Sequence, residues 1–474
     1  MIFSPEILHI ITASTFMFLL IIFFGSVVIN KPEYNVYAYT AVITLFTAST
    51  IGMKVPIATI YDWGSGQLPF PLLNIILYVI FVYIFLWDVI NTKLIKKHIF
   101  PFTTQYVLFI LMFISYLIYG TLEDVPLKDV ISRRGVINLV NMVVFIYCIK
   151  WSIRTKEQLQ KLIDVLLVCA SCMGVWGLFR LVFLDGDPAN YYQNAENINV
   201  KLTYQDIGQS IIFCIVVAYT ILKLQKTAVI KVTTKYLYYI ICLISMANIV
   251  LSYRRTAWVG IFIIFIWLII LSDFKNKIKL ASLLLIGGFI ISSYVVSKRF
   301  NGDNLSSRKL TITGDFINKQ GQLTIKAGRF AELADAYKNV QDNPLFGKGP
   351  WGTHGSVFML GDMAYFTHSS IMHILLKLGV VGLILFLWIF VGYVLWWLKK
   401  RCQKWSDDQI KIIGEAAFCG FLFEIPDILF GTPIIIFRHL QIVGFIIAIT
   451  YLAYYFGNTY TKDNHLHDQV RYKA

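Results

Sequence analysis

The sequence predicts an all-α, polytopic integral membrane protein with about 12 to 13 transmembrane helices. Of its 474 residues, 57% are hydrophobic and only 15% are charged, whereas soluble domains carry about 25% charged residues. Apolar runs of membrane-spanning length recur along the chain, and one long polar segment interrupts them at about residues 298–364. We therefore expect a single membrane-embedded domain, residues 1–474, with one long extracytoplasmic loop that contains short helices.

The apolar runs give the expected order of the helices. Hydropathy places the span centres near residues 18, 45, 80, 110, 142, 172, 214, 243, 263, 287, 387, 420 and 446. The second span is the weakest, because Lys54 and Pro56 interrupt its end.

Basic residues between the spans predict the orientation. Clusters of Lys and Arg occur at 93–97, 150–161, 223–235, 275–279 and 399–411. Counting the spans places all of them on one side, which the positive-inside rule makes cytoplasmic. The C-terminus is then cytoplasmic, and the N-terminus and the long loop face the outside. Orientation explains much of the net charge of +15, so we expect no nucleic-acid partner.

Several ionisable residues on the outer side need a different explanation. Arg254 and Arg255 occupy a short turn between two apolar helices, and adjacent arginines in a rigid turn favour a positioned anion site. Arg133, Arg134 and Arg180 have two equally good interpretations: such a site, or arginines that reach the headgroups and cap helix ends. Near the outer ends of the last two spans lie two acids and two basic residues, which we expect to pair with each other; these are Glu424, Asp427, Arg438 and His439.

The long loop ends in a pattern that is typical of a binding site. Residues 328–341 have helical character, and Asn343-Pro344 ends that helix. Glycines 347, 349 and 352 then predict a tight turn, and the backbone N–H groups of Gly347 and Gly349 are candidates to contact an anion or a sugar.

Three histidines in this region are candidates for a general base. His368 follows Thr367, a candidate N-cap, so we expect His368 at a helix N-terminus, where the positive helix end favours a neutral imidazole. His354 follows the glycine-rich turn; it remains an alternative base and is a candidate to contact the pyrophosphate or glycan. His373 falls on another face of an apolar helix and is expected to be a packing residue.

Together these motifs resemble the O-antigen ligase and Wzy-type polysaccharide polymerase superfamily of bacterial membrane glycosyltransferases. The resemblance rests on three pieces in order: S-x-R-R-T-A-W (252–258), Arg329 ahead of N-P-L-F-G-K-G-P (343–350), and T-H-S-S-x-x-H-x-L-L-x-L-G-x-x-G (367–382). It implies a GT-C-like, metal-independent enzyme without a cofactor. Its donor would be a glycan on undecaprenyl pyrophosphate, used at the outer face of the bacterial inner (cytoplasmic) membrane.

The resemblance also implies roles for individual residues. Arg255 and Arg329 match the arginines that bind pyrophosphate and stabilise the leaving group, and His368 matches the histidine that activates the acceptor hydroxyl. Direct attack on the anomeric carbon would invert the linkage. Arg254 stands beside Arg255, and either of the two could be the phosphate ligand.

Three functions remain open at this stage. A polymerase would join lipid-linked repeat units of an O-antigen or capsule polysaccharide, and this is the function we favour. A ligase would instead transfer the glycan to lipid A core or to a protein. A flippase for the lipid-linked glycan is the alternative of another class, although the chain shows no internal repeat. Membrane lipids and a chain-length regulator protein are further expected partners.

Overall fold

The computed structural model describes residues 5–47, 60–61, 63, 68, 70–91, 100–190, 200–204, 206–227, 230–300, 328–354, 365, 367–431 and 433–458. Within these ranges, side chains are described except at 5–9, 290–292, 294–300 and 328–331. Where it is described, the chain is helical and contains no strand. The helices are α1 (Pro5–Val28), α2 (Glu33–Leu45), α3 (Leu72–Asn91), α4 (Thr103–Leu122), α5 (Leu127–Val130), α6 (Ile137–Ser152), α7 (Lys156–Phe183), α8 (Ile207–Lys226), α9 (Val232–Val250), α10 (Arg255–Leu271), α11 (Phe274–Phe300), α12 (Gly328–Val340), α13 (Ser370–Arg401), α14 (Asp408–Phe430) and α15 (Phe437–Asn458).

This architecture confirms the predicted all-α, polytopic membrane class. Eight helices among the described residues are long and apolar enough to cross a membrane, namely α1, α3, α4, α7, α8, α9, α13 and α15. Helices α6 and α10 are apolar but shorter, and α2 has only 13 residues, in agreement with the weakness predicted for the second span. Lys54 and Pro56 lie outside the described residues. Any span beyond these eight stays a prediction.

The core of the bundle is formed by α8, α14 and α15. The apolar windows of α8 and α15 are 83% and 89% buried, whereas that of α9 is 17% buried and faces outward. Helix α14 packs against α8, α10 and α15, and α15 also packs against α6. Close approach of α10 to α14 occurs at Gly260, where any side-chain carbon would lie 2.8 Å from Phe423. Burial of apolar surface on all sides explains why α15 shows little amphipathic pattern.

Helix α13 contains a break at which the preceding loop packs onto the bundle. Gly379 adopts φ 65° and ψ −164° inside the helix, a conformation that favours glycine because it has no Cβ. The break leaves backbone groups without helical partners, and the preceding turn supplies them. The backbone N–H groups of Val380 and Val381 donate to the oxygens of Pro344 and Leu345 at 2.9 and 3.1 Å. The loop is thus bonded to a membrane helix through its backbone.

Candidate functional site

His368 lies in a turn that precedes α13. The Ser369 side chain caps the helix by accepting a hydrogen bond from the N–H of Met372 at 3.5 Å. Thr367 instead donates from its hydroxyl to the backbone oxygen of Ser369 at 3.0 Å. The prediction that Thr367 is the N-cap is therefore wrong, because a nearby hydroxyl residue takes that position. His368 lies one residue outside the cap rather than in the first helical turn.

Glu332 of α12 contacts His368 through both carboxylate oxygens. Its Oε1 accepts the backbone N–H of His368, and its Oε2 lies 2.7 Å from the ring Nδ1. The Glu332 side chain is fully buried, while 28% of the His368 side chain is exposed. With Nδ1–H donating to Glu332, the Nε2 atom becomes the nitrogen that can accept a proton. The pair therefore has the geometry of a general base that a buried carboxylate orients.

Helix α12 also holds the segment that follows the glycine-rich turn. The side-chain amide of Asn339 donates to the backbone oxygen of His354 at 2.7 Å, and its oxygen accepts from Lys348 Nζ at 2.5 Å. His354 itself is buried, with 2% of its surface exposed. Because Glu332 and Asn339 are seven residues apart, they lie on one face of the helix. That face connects the helix to both His368 and His354.

Arg329 belongs to the first turn of α12, three residues before Glu332. Its side chain lies outside the described side chains, so its role stays a prediction. The backbone of Arg329 lies on the same helix as Glu332. Sequence reasoning did not identify Glu332.

The glycine-rich turn is confirmed as a tight turn, but not all of its N–H groups face outward. Gly347 and Gly349 have φ of 69° and 81°. The N–H of Gly347 donates to the oxygen of Asn343 at 2.8 Å, and that of Lys348 donates to the oxygen of Leu376 at 2.8 Å. Gly347 therefore serves close packing, since a Cβ there would lie 2.6 Å from the nitrogen of Gly379. A substrate contact by Gly349 stays a prediction.

The two adjacent arginines lie at the start of α10. Arg254 is the N-cap residue and Arg255 is the first residue of the helix. The preceding Tyr253 is buried and adopts φ 59°, and its ring packs edge-on against Trp258 at 5.5 Å. Thr203 holds the same turn by donating its N–H to the oxygen of Leu251 at 3.1 Å. Ring packing and a backbone hydrogen bond therefore hold this turn against its neighbours.

Arg254 lies close to a buried ion pair. Arg438 donates to Asp206 at 2.5 Å and to Gln209 at 2.7 Å. Burial tends to raise the pKa of Asp206, but the charges of Arg438, His439 and Arg254 outweigh it and lower the pKa of this carboxyl. Within the residues that the structure describes, the buried Nε of Arg254 has no hydrogen-bond acceptor. A bound anion would supply one.

A second polar cluster lies between α14 and α15. His439 Nε2 lies 2.7 Å from Glu424 Oε1 and its Nδ1 lies 4.0 Å from Asp427 Oδ2, which confirms the expected pairing of these residues. Arg438 pairs with Asp206 instead of with an acid of α14. The ligand atoms of Glu424, Asp427 and His439 all lie within 4.8 Å of one another, so these three side chains could hold a metal ion. The expectation that the site needs no metal stays a prediction.

Arg180 and Arg134 have different surroundings. Arg180 is fully buried, lies 3.5 Å from Asp187 Oδ2 and stacks 4.7 Å over the ring of Tyr204, so it is a structural residue that does not reach the headgroups. The guanidinium of Arg134 lies 5.1 Å from the ring centre of Tyr365. Tyr365 precedes His368 by three residues.

The structure thus gathers the predicted residues into two groups. His368, His354 and the backbone of Arg329 and of the glycine turn belong to the group organised by α12 and α13. Arg254 and Arg255 belong to the group at the start of α10, beside Asp206 and Arg438. Sequence reasoning missed Glu332, Asp206 and Lys377, of which Lys377 had a usable signal as a lone charge in an apolar helix.

Part of the chain is similar to a known protein family. Residues 240–387 match the family model described as O-antigen ligase. The matched region contains Arg254, Arg255, Arg329, Glu332 and His368, and therefore residues from both groups. Its presence supports a function of the O-antigen ligase or polymerase type, in a family of glycosyltransferase-like enzymes. A search of curated proteins found no match.

Proposed function

We propose that the protein transfers a glycan from a polyprenyl diphosphate to an acceptor hydroxyl, with His368 as general base. The observation that carries the proposal is the 2.7 Å contact of His368 Nδ1 with Glu332. A buried carboxylate that fixes the tautomer of an accessible imidazole is the arrangement that proton abstraction requires.

The reaction follows from this arrangement. The acceptor oxygen attacks the anomeric carbon of the donor while its proton passes to Nε2 of His368. The bond between the anomeric carbon and the diphosphate oxygen breaks, and the diphosphate leaves with the electron pair. Attack opposite the leaving group inverts the anomeric configuration. Glu332 stabilises the imidazolium that forms, as a carboxylate does in a catalytic triad.

The leaving diphosphate needs positive charge that is in place before reaction. We assign this role to Arg254, Arg255 and Arg329, because guanidinium groups bind phosphate oxygens in a bidentate way and keep their charge. The unsatisfied Nε of Arg254 favours Arg254 as a direct contact. Removing one positioned group that stabilises a developing negative charge lowers kcat by about 10²–10³-fold.

Among acceptors, we propose a second lipid-linked repeat unit, which makes the protein a polysaccharide polymerase acting with undecaprenyl-pyrophosphate-linked donors at the outer face of the membrane. Transfer to lipid A core or to a protein, as a ligase performs it, uses the same residues. The family model, described as O-antigen ligase, is the observation that favours this second candidate.

An assay of the purified protein with lipid-linked repeat units distinguishes these functions. Growth of the glycan on its lipid supports the polymerase. Transfer to added lipid A core, without growth, supports the ligase instead. If the lipid-linked glycan crosses the bilayer of a proteoliposome unchanged, the protein is a transporter and the enzyme proposal fails.

A further inference from the structure

Lys377 of α13 is a buried lysine in a membrane helix. None of its surface is exposed, and its Nζ donates a hydrogen bond to the backbone oxygen of Gly352 at 2.6 Å. Within the described part of the chain, no carboxylate forms an ion pair with it. Burial of an ammonium group without a counter-charge is costly, and ionisable residues at such positions in membrane proteins usually mark a functional site.

A second cation approaches the same place. Lys377 Nζ lies 5.9 Å from the ring centre of Tyr365, and the guanidinium of Arg134 lies 5.1 Å from the same centre. The two positive charges therefore share one aromatic ring. The ring attracts a cation by about 1–2 kcal/mol at most, so it does not neutralise the charge of Lys377. An anion beside Lys377 would.

A hydrogen-bond acceptor completes this group of side chains. His373 lies one turn before Lys377 on the same face of α13, and its Nε2 contacts the backbone oxygen of Gly135 at 3.2 Å. That contact makes Nε2 the protonated nitrogen, so Nδ1 is an acceptor. Nδ1 is buried and has no donor among the described residues. A ligand that carries a hydroxyl group beside its anionic group would satisfy both Nδ1 and Lys377.

A purely structural role for Lys377 does not require its charge. The hydrogen bond to Gly352 ties the loop to α13, and a neutral donor would make the same bond without the cost of burying an ammonium group. Lys377 carries two further N–H donors besides the one that Gly352 uses. Their natural acceptors are phosphate or carboxylate oxygens.

We propose that Lys377 and Arg134, with Tyr365 and His373, form a binding subsite for an anionic group of the glycan donor. This inference rests on the proposed function and adds a substrate class to it. The ligand chemistry is a phosphate or carboxylate oxygen set next to a hydroxyl group. Two parts of a donor provide it, namely the diphosphate that carries the glycan and an acidic sugar within the glycan.

Binding to the full-length protein in nanodiscs tests the subsite without turnover. Four probes form two matched pairs: farnesyl diphosphate with farnesol, and methyl glucuronide with methyl glucoside. The variants are Lys377→Met, which removes the charge, and Lys377→Arg, which keeps it. Lys400→Met, at the other end of the same helix, is the control for removing a lysine charge from α13.

We expect Lys377→Met to weaken binding of one anionic probe by about 10- to 100-fold, while its neutral counterpart binds as before. Loss confined to farnesyl diphosphate identifies the diphosphate as the ligand, and loss confined to methyl glucuronide identifies an acidic sugar. Lys377→Arg should retain most of the affinity, and Lys400→Met should bind every probe like the wild type.

Three results would overturn the proposal. The first is wild-type protein that prefers neither anionic probe over its neutral counterpart. The second is Lys377→Met that binds all four probes like the wild type. The third is a parallel loss of all four together with a lower melting temperature, which indicates a structural residue. Because no transfer is needed, absence of glycan transfer with intact Lys377-dependent binding would count against the proposed function alone.

Discussion

Glu332 holds His368 at two points, the backbone N–H and the ring Nδ1. A residue fixed in this way keeps both its position and its tautomer when the acceptor arrives, which removes a cost from the reaction. Glu332 therefore acts on the reaction through His368 and is a positioning residue.

Replacement of Glu332 by Gln tests whether Glu332 positions His368. The amide keeps the shape of the side chain but can present N–H to Nδ1, which favours the wrong tautomer of His368. We expect kcat to fall by about 10²- to 10⁴-fold with little change in KM for the donor, measured as glycan transfer by purified protein. Asp335→Asn, which removes an acid from the next turn of α12, is the control and should keep normal kcat. An unchanged kcat in Glu332→Gln would remove Glu332 from the mechanism.

The Asp206–Arg438 pair is expected to matter for stability. Asp206→Asn leaves Arg438 buried at 2% exposure without its carboxylate, and removing one member of a buried pair costs about 3–5 kcal/mol. A clear fall in the melting temperature in detergent should follow. Lys201→Met, which disrupts an exposed pair with Asp185, should change the melting temperature little. Equal effects of the two substitutions would contradict this account.

The same pair predicts a direction for the pH dependence. The pKa of Asp206 is lowered in the folded protein, so its contribution is fully present above the unfolded pKa of about 3.9. This stabilisation is lost as the pH falls through the lowered folded value. Melting temperatures of wild type and Asp206→Asn should therefore converge in acid, and a difference that persists at the lowest pH would contradict this origin.

At the scale of elements, the break in α13 and the glycine turn form one unit. Backbone oxygens before the turn accept hydrogen bonds from the N–H groups of Val380 and Val381. In the other direction, the backbone oxygen of Leu376 in α13 accepts a hydrogen bond from the N–H of Lys348. Irregular backbone near a membrane persists only where protein groups satisfy it. The docked turn thus fixes the loop segment that leads to His354.

Gly379→Ala should weaken the contact between the glycine turn and α13. The added Cβ would lie 2.3 Å from the oxygen of Leu345, and alanine is strained at φ 65° by about 1–3 kcal/mol. We expect a lower melting temperature and reduced transfer. Gly392→Ala in the same helix is the matched control, because its Cβ would meet only ordinary van der Waals contacts, with the rings of Phe102 at 3.5 Å and Trp388 at 3.7 Å. If Gly379→Ala behaves like Gly392→Ala, the turn is not held by this contact.

The positions of the helices could be predicted from the sequence more easily than the contacts between them. Long apolar runs are a local signal, so the positions of α3, α8 and α15 follow from hydropathy. The cap of α13 was harder, because Thr367, Ser369 and Ser370 all offer a hydroxyl group and only packing selects Ser369. Glu332 lies 36 residues from His368, and a glutamate on a short polar helix is ordinarily a solvated residue. Such long-range pairs need the fold to be known.

At the scale of the whole molecule, the orientation in the membrane remains a prediction from the basic clusters. Single cysteines at exposed positions test it, with Cys172 and Cys402, the exposed native thiols, replaced by serine. In spheroplasts, a membrane-impermeant maleimide should label Lys338→Cys on α12 and should not label Lys275→Cys at the start of α11. Labelling of Lys275→Cys alone would reverse the orientation and place His368 on the cytoplasmic side.

The central claim is that His368 removes the proton from the acceptor during glycan transfer. The most direct measurement compares wild type with His368→Ala in a purified assay, with polyprenyl-diphosphate-linked repeat units as substrate and the mass of the products as readout. We predict that the wild type forms longer lipid-linked glycans and releases polyprenyl diphosphate. His368→Ala should form neither product, although it folds with an unchanged melting temperature and binds the donor. Normal product formation by His368→Ala would contradict the account.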